Sequence, residues 1–309
     1  MKPFLYAFIL LLAPSLSLAQ GLRVEKRLIL SAPLQHEGVS RYITIQNRSS
    51  EDAQIKKLVL KGKQATNFQL STAITFPLTV KADDSVQLNF SFSPDSKLGR
   101  YLATLEIYSE SFENKKANVR LVGLATDEKE PELHTIVETL GLNVNVKDAL
   151  MQTNDDEALL GDEIKVSQFV QSSDNKVKIT PLARYSSSSQ VPFGFYTEEN
   201  NQLRYGKVGT LSGGHLQHHT LFPRLTSGKL RFDPGVNSFG IFISTASAAA
   251  YTDSSLNNDD KHACKVFMLK NAKGEIVEGQ YLICFDEDGD SDFQDYIFLI
   301  SNVSPLAAP

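Results

Sequence analysis

The stretch Ile74-Thr-Phe-Pro-Leu-Thr-Val-Lys-Ala-Asp-Asp-Ser-Val-Gln-Leu-Asn-Phe-Ser-Phe92 decides the fold class of this 309-residue chain. Ile74, Phe76, Leu78 and Val80, then Val86, Leu88, Phe90 and Phe92, recur at every second position. Side chains alternate between the two faces of a strand, so each run sets four apolar groups on one face and predicts a half-buried strand with those groups inward. Ala82-Asp83-Asp84 supplies the polar turn between them.

Working outward, the segments 22–30, 42–46, 55–60, 101–108 and 117–124 carry the same strand signal, separated by polar loops at 47–52 and 109–116. About seven short strands in about 100 residues is the rhythm of an immunoglobulin-like sandwich. Neither a cysteine nor a tryptophan marks it as antibody-like. The charged, proline-containing run Asp127-Glu-Lys-Glu-Pro-Glu132 reads as a link. Beyond it, Leu133, Ile136, Val137 and Leu140 recur at helical spacing with Gly141 placed to cap, which predicts one short helix. The chain then returns to strand signals at 164–169, 177–182, 193–196, 228–232, 239–243, 263–269, 281–285 and 296–300. The expected architecture is all-β: a first domain over 20–127, then a larger β-sandwich or jelly roll over 128–309 that carries the helix.

Charge follows the same division. Residues 21–127 hold 15 Lys/Arg against 11 Asp/Glu, and residues 128–309 hold 15 against 25. An acidic second half with no basic stripe argues against nucleic acid as a partner. At the start, Lys2 precedes an apolar run from Phe4 to Ala13, and Ser17-Leu-Ala19 places small residues at a cleavage site, so residues 1–19 read as a secretory signal peptide. No second apolar stretch is long enough to span a membrane, which leads to the expectation of a secreted or cell-surface protein. The cysteines, Cys264 and Cys284, lie in two strand-like runs around the turn Asn271-Ala-Lys-Gly274. Facing one another across a hairpin in an oxidising compartment, they would form a disulfide, whereas a register slip of one residue would put them on opposite faces.

The most concentrated chemistry lies in Asp286-Glu-Asp-Gly-Asp-Ser-Asp-Phe-Gln-Asp295. Six carboxylates, Asp286, Glu287, Asp288, Asp290, Asp292 and Asp295, sit between the apolar runs Tyr281-Leu-Ile-Cys-Phe285 and Tyr296-Ile-Phe-Leu-Ile300. Such density raises every acid's pKa unless a cation offsets it, and calcium, which takes six to eight oxygen ligands, is the expected ion. An EF-hand fits poorly: Ser291 stands where its glycine belongs and Ile297 where its bidentate glutamate belongs.

Two resemblances extend this reading. Phe68-Gln-Leu-Ser, Phe76-Pro-Leu-Thr, Phe90-Ser-Phe-Ser-Pro-Asp, Gly99-Arg-Tyr-Leu-Ala-Thr-Leu-Glu-Ile-Tyr-Ser and Val119-Arg-Leu-Val-Gly-Leu resemble the ASH, or choice-of-anchor D, type of immunoglobulin-like domain over residues 22–126. That resemblance implies a binding or spacer module. Phe285-Asp-Glu, then Gly289-Asp-Ser-Asp-Phe-Gln-Asp295 and the following apolar strand, resemble the C-terminal domains of LruC-type secreted bacterial proteins. Their pattern is Phe-Glu-Asp, a spacer and Gly-Asp-x-Asp-Phe-Asn-Asp, which implies Asp286 or Glu287, Asp290, Asp292 and Asp295 as calcium ligands. Gln294 departs from the usual Asn.

Other constellations carry less. His215, His218 and His219 could share a zinc ion on a helix, but Gly213-Gly214 and Pro223 speak for a surface or interface loop. No G-x-S-x-G elbow, HExxH motif or P-loop is present. Glu198 and Glu199 are adjacent, so a strand would point them to opposite faces and spoil an acid pair. Tryptophan is absent, yet Tyr196, Tyr205 and Tyr251 leave a glycan role open. The sequence thus leads to a secreted, calcium-stabilised binding or adhesion protein with an extracellular protein or glycan as partner. A secreted carbohydrate-active hydrolase and a structural subunit of a surface assembly are the alternatives.

Overall fold

The computed structural model describes residues 21–306 except Glu37, Val39, 128–129, 151–158, Leu160, Ser188, Asn201, His215, Leu216, His218, Asn237, Ser247, 258–262 and Asp288. The leader expected at 1–19 lies outside the described residues. The chain is all-β, with short helices as additions.

In the first half, two four-stranded sheets face each other as an immunoglobulin-like sandwich. One is ordered Leu22–Val24, Arg41–Asn47, Ser85–Phe92, Phe68–Leu70; the other Arg27–Pro33, Lys116–Thr126, Gly99–Tyr108, Lys57–Lys61. Arg27–Pro33 runs parallel to Lys116–Thr126 through seven paired positions, from Arg27 opposite Arg120 to Pro33 opposite Thr126. Ile43, Ile45, Leu88, Phe90 and Phe92 of one sheet bury themselves against Leu105, Ile107, Val119 and Leu121 of the other. Full burial of such side chains stabilises the fold by roughly 1.5–3 kcal/mol each.

The two runs that set the fold class are half confirmed. Val80, Leu88, Phe90 and Phe92 are buried, and Ile74, Leu78 and Val86 pack partly buried against the same core. Phe76 instead is 38% exposed, and the first strand shortens to Leu78–Val80. The cause is Pro77, which has no N–H to give a ladder and constrains the residue before it. The strand expected at 55–60 divides in two: Ala53–Ile55 pairs with Leu78–Val80, while Lys57–Lys61 joins Gly99–Tyr108.

The second half has a larger pair of sheets. The seven-stranded sheet is ordered Glu163–Ile164, Cys264–Lys270, Ile276–Phe285, Tyr296–Ser301, Val177–Tyr185, His219–Leu221, with Arg231–Phe232 paired beside the start of Val177–Tyr185. The five-stranded sheet runs Leu225–Gly228, Gln202–Leu211, Val191–Glu199, Gly240–Ser244, Ala249–Tyr251. Between them lies a core that includes Ile179, Phe193, Ile241, Ile243, Ile283, Phe285 and Phe298.

The helix forms where its periodicity predicted, at Leu133–Leu140. Gly141 takes the left-handed conformation, φ 73°, that a side chain would resist. Its N–H donates to Glu138 O at 3.0 Å and that of Leu142 to Val137 O at 3.1 Å, the paired bonds of a Schellman motif. Leu133, Ile136, Val137 and Leu140 pack with Ile29 and Leu124 of the first half and with Tyr185, Leu221, Leu282, Cys284 and Ile297 of the seven-stranded sheet. Polar ties reinforce this middle layer: Leu221 N donates to Ser31 Oγ at 2.9 Å, and Arg27 Nη2 to Thr139 O at 2.6 Å. The seven-stranded sheet is therefore covered on both faces. That is why its inner strands, Tyr281-Leu-Ile-Cys-Phe285 and Tyr296-Ile-Phe-Leu-Ile300, are apolar without alternation.

The expected disulfide is not formed, because the hairpin is out by one residue. Lys265, rather than Cys264, stands opposite Cys284, and Cys264 faces Phe285. The two thiols accordingly point to opposite sides: Cys284 joins the helical layer and Cys264 the core between the sheets. Both are free.

Candidate metal centre

The acidic loop links the two inner strands of the seven-stranded sheet, Ile276–Phe285 and Tyr296–Ser301, which pair from Gln280 opposite Ser301 to Phe285 opposite Tyr296. Extended chain would carry Asp292 about 20 Å from Asp286. Left-handed residues at alternate positions fold the segment instead: Gly289 at φ 74°, Ser291 at 70° and Phe293 at 56°. Ser291 thus adopts the backbone that an EF-hand assigns to glycine, but Ile297 is buried within a strand and supplies no oxygen. Phe293, 4% exposed, anchors the loop in the helical layer with Lys265 Nζ 5.2 Å from its ring.

The bend makes two groups of carboxylates. Asp286, Asp290 and Asp292 form one, Glu130, Asp292 and Asp295 the other, and within each group one oxygen per residue lies within 4.8 Å of the rest. Asp292 belongs to both. An ion bound by oxygens at up to about 2.6 Å spans ligands up to about 5.2 Å apart, so either group can hold one. Gln294 lies beside them: its Nε2 donates to Glu130 Oε2 at 3.1 Å and to Asp292 Oδ2 at 2.5 Å.

Backbone donors shape the site. Asp286 Oδ1 accepts from Gly289 N at 2.7 Å and Oδ2 from Ser291 N at 2.9 Å. Asp295 Oδ2 accepts from Glu287 N, and Tyr185 N donates to Asp295 O at 2.9 Å. Among the described residues, Asp286, Asp290, Asp292 and Asp295 have no lysine or arginine within 4 Å. Burial, with the neighbouring acids adding to it, raises the Asp286 carboxyl, lifts Asp292 to about 6 and pushes Asp295 up to about 9.

Of the six acids expected as ligands, four converge: Asp286, Asp290, Asp292 and Asp295. Glu287 stands outside both groups, its Oε2 accepting from Tyr296 OH at 2.8 Å. Asp288 lies outside the described residues. Glu130, missed in the sequence, comes from the link between the halves, 164 positions before Gln294. Of the three clustered histidines, His215 and His218 lie outside the described residues, while His219 Nε2 is 3.9 Å from Glu130 Oε1. His219 opens the strand His219–Leu221, whose Thr220 and Leu221 meet Ser31 of the first half.

Fold and site together define an all-β chain of two sandwiches with an acidic loop whose residue groups could hold a metal ion. No protein-family model matches the chain. A comparison with curated proteins returns no match either. Among solved structures it is similar to the secreted serine protease VesC from Vibrio cholerae at 13% identity and TM-score 0.29, covering 93% of this chain and 51% of that one. The chain thus spans about half the length of that protease. It is similar to an ASH/PapD-like domain of human CEP192 at 13% identity and TM-score 0.24, covering 40% of this chain and 99% of that one. A third likeness is to the CupB2 chaperone of Pseudomonas aeruginosa, at 11% identity and TM-score 0.28, covering 82% and 95%. At these TM-scores the likenesses assign the chain no activity or partner, and its fold rests on the strand pairings above. Among the described residues no helix is long and apolar enough to cross a membrane.

Proposed function

We propose that this is a secreted, non-enzymatic binding or adhesion protein whose second half is stabilised by calcium held in the loop 286–295. The observation that carries the reading is Asp292, shared by two groups of carboxylates in a loop where Asp286 and Asp295 are nearly inaccessible and have no described cationic partner. Burying an ionised carboxylate without a cation is costly, so the arrangement is favourable chiefly with an ion bound or with protons retained. All-carboxylate ligation suits a hard cation rather than zinc or copper, which favour nitrogen and sulfur. In an extracellular setting even a site with a Kd of about 10⁻⁴ to 10⁻³ M fills with calcium.

In this reading the first sandwich, 20–127, is a binding or spacer module and the second, 128–309, presents the ligand-facing surface to an extracellular protein or glycan. Thermal melts of the mature full-length protein in calcium or chelator test the ion. Calcium should raise Tm, Asp292→Asn and Asp295→Asn should abolish most of the rise, and Glu198→Gln with Glu199→Gln should preserve it. Superimposable melts in calcium and chelator would reduce the loop to a solvated turn.

A further inference from the structure

A second feature lies apart from the acidic loop. Where Arg27–Pro33 meets His219–Leu221, the two halves enclose a cavity of about 460 Å³. Its charged lining consists of Arg27, Arg41 and Arg224 against Glu25, a formal excess of two positive charges. Among the described residues none of these arginines has a carboxylate within 4 Å.

Their other contacts leave donors to spare. Arg41 gives Nη1 to Ile29 O at 3.1 Å and stacks its guanidinium 4.1 Å from the centre of the Phe222 ring. Arg27 gives Nη2 to the last carbonyls of the helix, while its Nε is buried with no hydrogen-bond partner. A guanidinium presents five donors in a planar fork that matches two oxygens of an oxyanion at once. Burial lowers the pKa of both Arg27 and Arg41, with Arg120 and Arg100 adding to it at Arg27 and Glu25 opposing it at Arg41. The positive lining and a cavity within the usual ligand size range suit an anionic group carried on a small molecule.

We propose that this cleft binds the phosphate group of a small organic molecule, with Arg41 as its principal donor, Arg27 in its wall and Arg224 at the lip. The same donors accept inorganic phosphate, and the experiment separates the two sources. Calorimetric titrations of the mature protein with glucose 6-phosphate, inorganic phosphate and glucose, in chelator so that the acidic loop stays free of metal, give the answer. Glucose 6-phosphate should bind, with glucose silent at the same concentration. Equal affinity for inorganic phosphate would identify the free anion as the ligand, and tighter binding of the ester would identify the monoester.

Arg41→Gln should weaken binding at least about tenfold, since a hydrogen bond to a charged partner is lost. Arg41 also contacts Ile29 and Phe222, so two exposed positions keep the test independent of folding. Arg224→Gln should weaken binding about threefold with Tm unchanged, and Glu25→Gln, which removes the cavity's carboxylate, should tighten it about threefold. Absence of phosphate binding, or affinities that none of the three substitutions alters, would overturn the proposal.

Discussion

Calcium binding at the acidic loop should expel protons, and the number follows from the carboxyl groups already described. With Asp295 held at about 9 and Asp292 at about 6, the ion-free site at pH 7 keeps one proton on Asp295 and almost none on Asp292. An ion held by Glu130, Asp292 and Asp295 needs both as carboxylates, so binding there at pH 7 should release about one proton, and at pH 5 about two. Apparent affinity should fall by about two hundredfold between pH 8 and pH 6. The ion-free protein has the opposite dependence. Both folded-state values exceed those of unfolded aspartate, about 3.9, so the fold holds protons that the unfolded chain has lost, and its stability declines as pH rises from about 4 to about 9. Calcium at a hundredfold excess over Kd should restore about 2.7 kcal/mol, or about 5–10 °C in Tm for a unit of this size. Calorimetry at pH 7 in two buffers of different ionisation enthalpy counts the protons directly. Identical heats in both buffers, or an Asp295→Asn protein that binds calcium with the same proton count, would refute the reasoning.

Phe293→Ala removes the loop's buried anchor and should cost about 3 kcal/mol, with weaker calcium binding, read by denaturant titration with and without the ion. Thiol titration of the unfolded protein without reductant should count two free cysteines, and mass spectrometry should find no 264–284 crosslink. Arg184, wholly buried, donates to the carbonyls of Ser187, Ser189 and Ser212, so Arg184→Leu should destabilise the protein by about 2–4 kcal/mol, measured by chemical unfolding.

What the sequence disclosed depended on how local each signal was. The helix and its glycine cap came through intact, since spacing and cap both lie within nine residues, Leu133 to Gly141. Val86 to Phe92 read correctly because one face of that strand meets the core, but Phe76 misled because alternation outweighed the proline after it. Gln202–Leu211 passed unread as a strand: Gly206 and Gly209 interrupt its apolar pattern. Both are required there, for a Cβ would meet the Phe195 ring at 2.2 Å from Gly206 and the Phe193 ring at 2.8 Å from Gly209. The acidic loop declared itself by charge density, yet its division into two groups around Asp292 did not. Glu130 was hidden altogether, since a link reads as solvated charge until the fold brings it home. The cysteine pairing failed on a single step of register, a quantity that turn composition at 271–274 does not specify.

The parallel pairing of Arg27–Pro33 with Lys116–Thr126 has a mechanical consequence. Tension applied to the first half through its two ends pulls Arg27–Pro33 from its beginning and Lys116–Thr126 from its finish, in opposite directions along one shared ladder. The strands must then slide past each other, so the bonds along seven paired positions carry the load together instead of opening one after another from an end. A module built this way resists stretching like a lap joint, and it should yield only at forces well above those that peel an antiparallel hairpin from its tip.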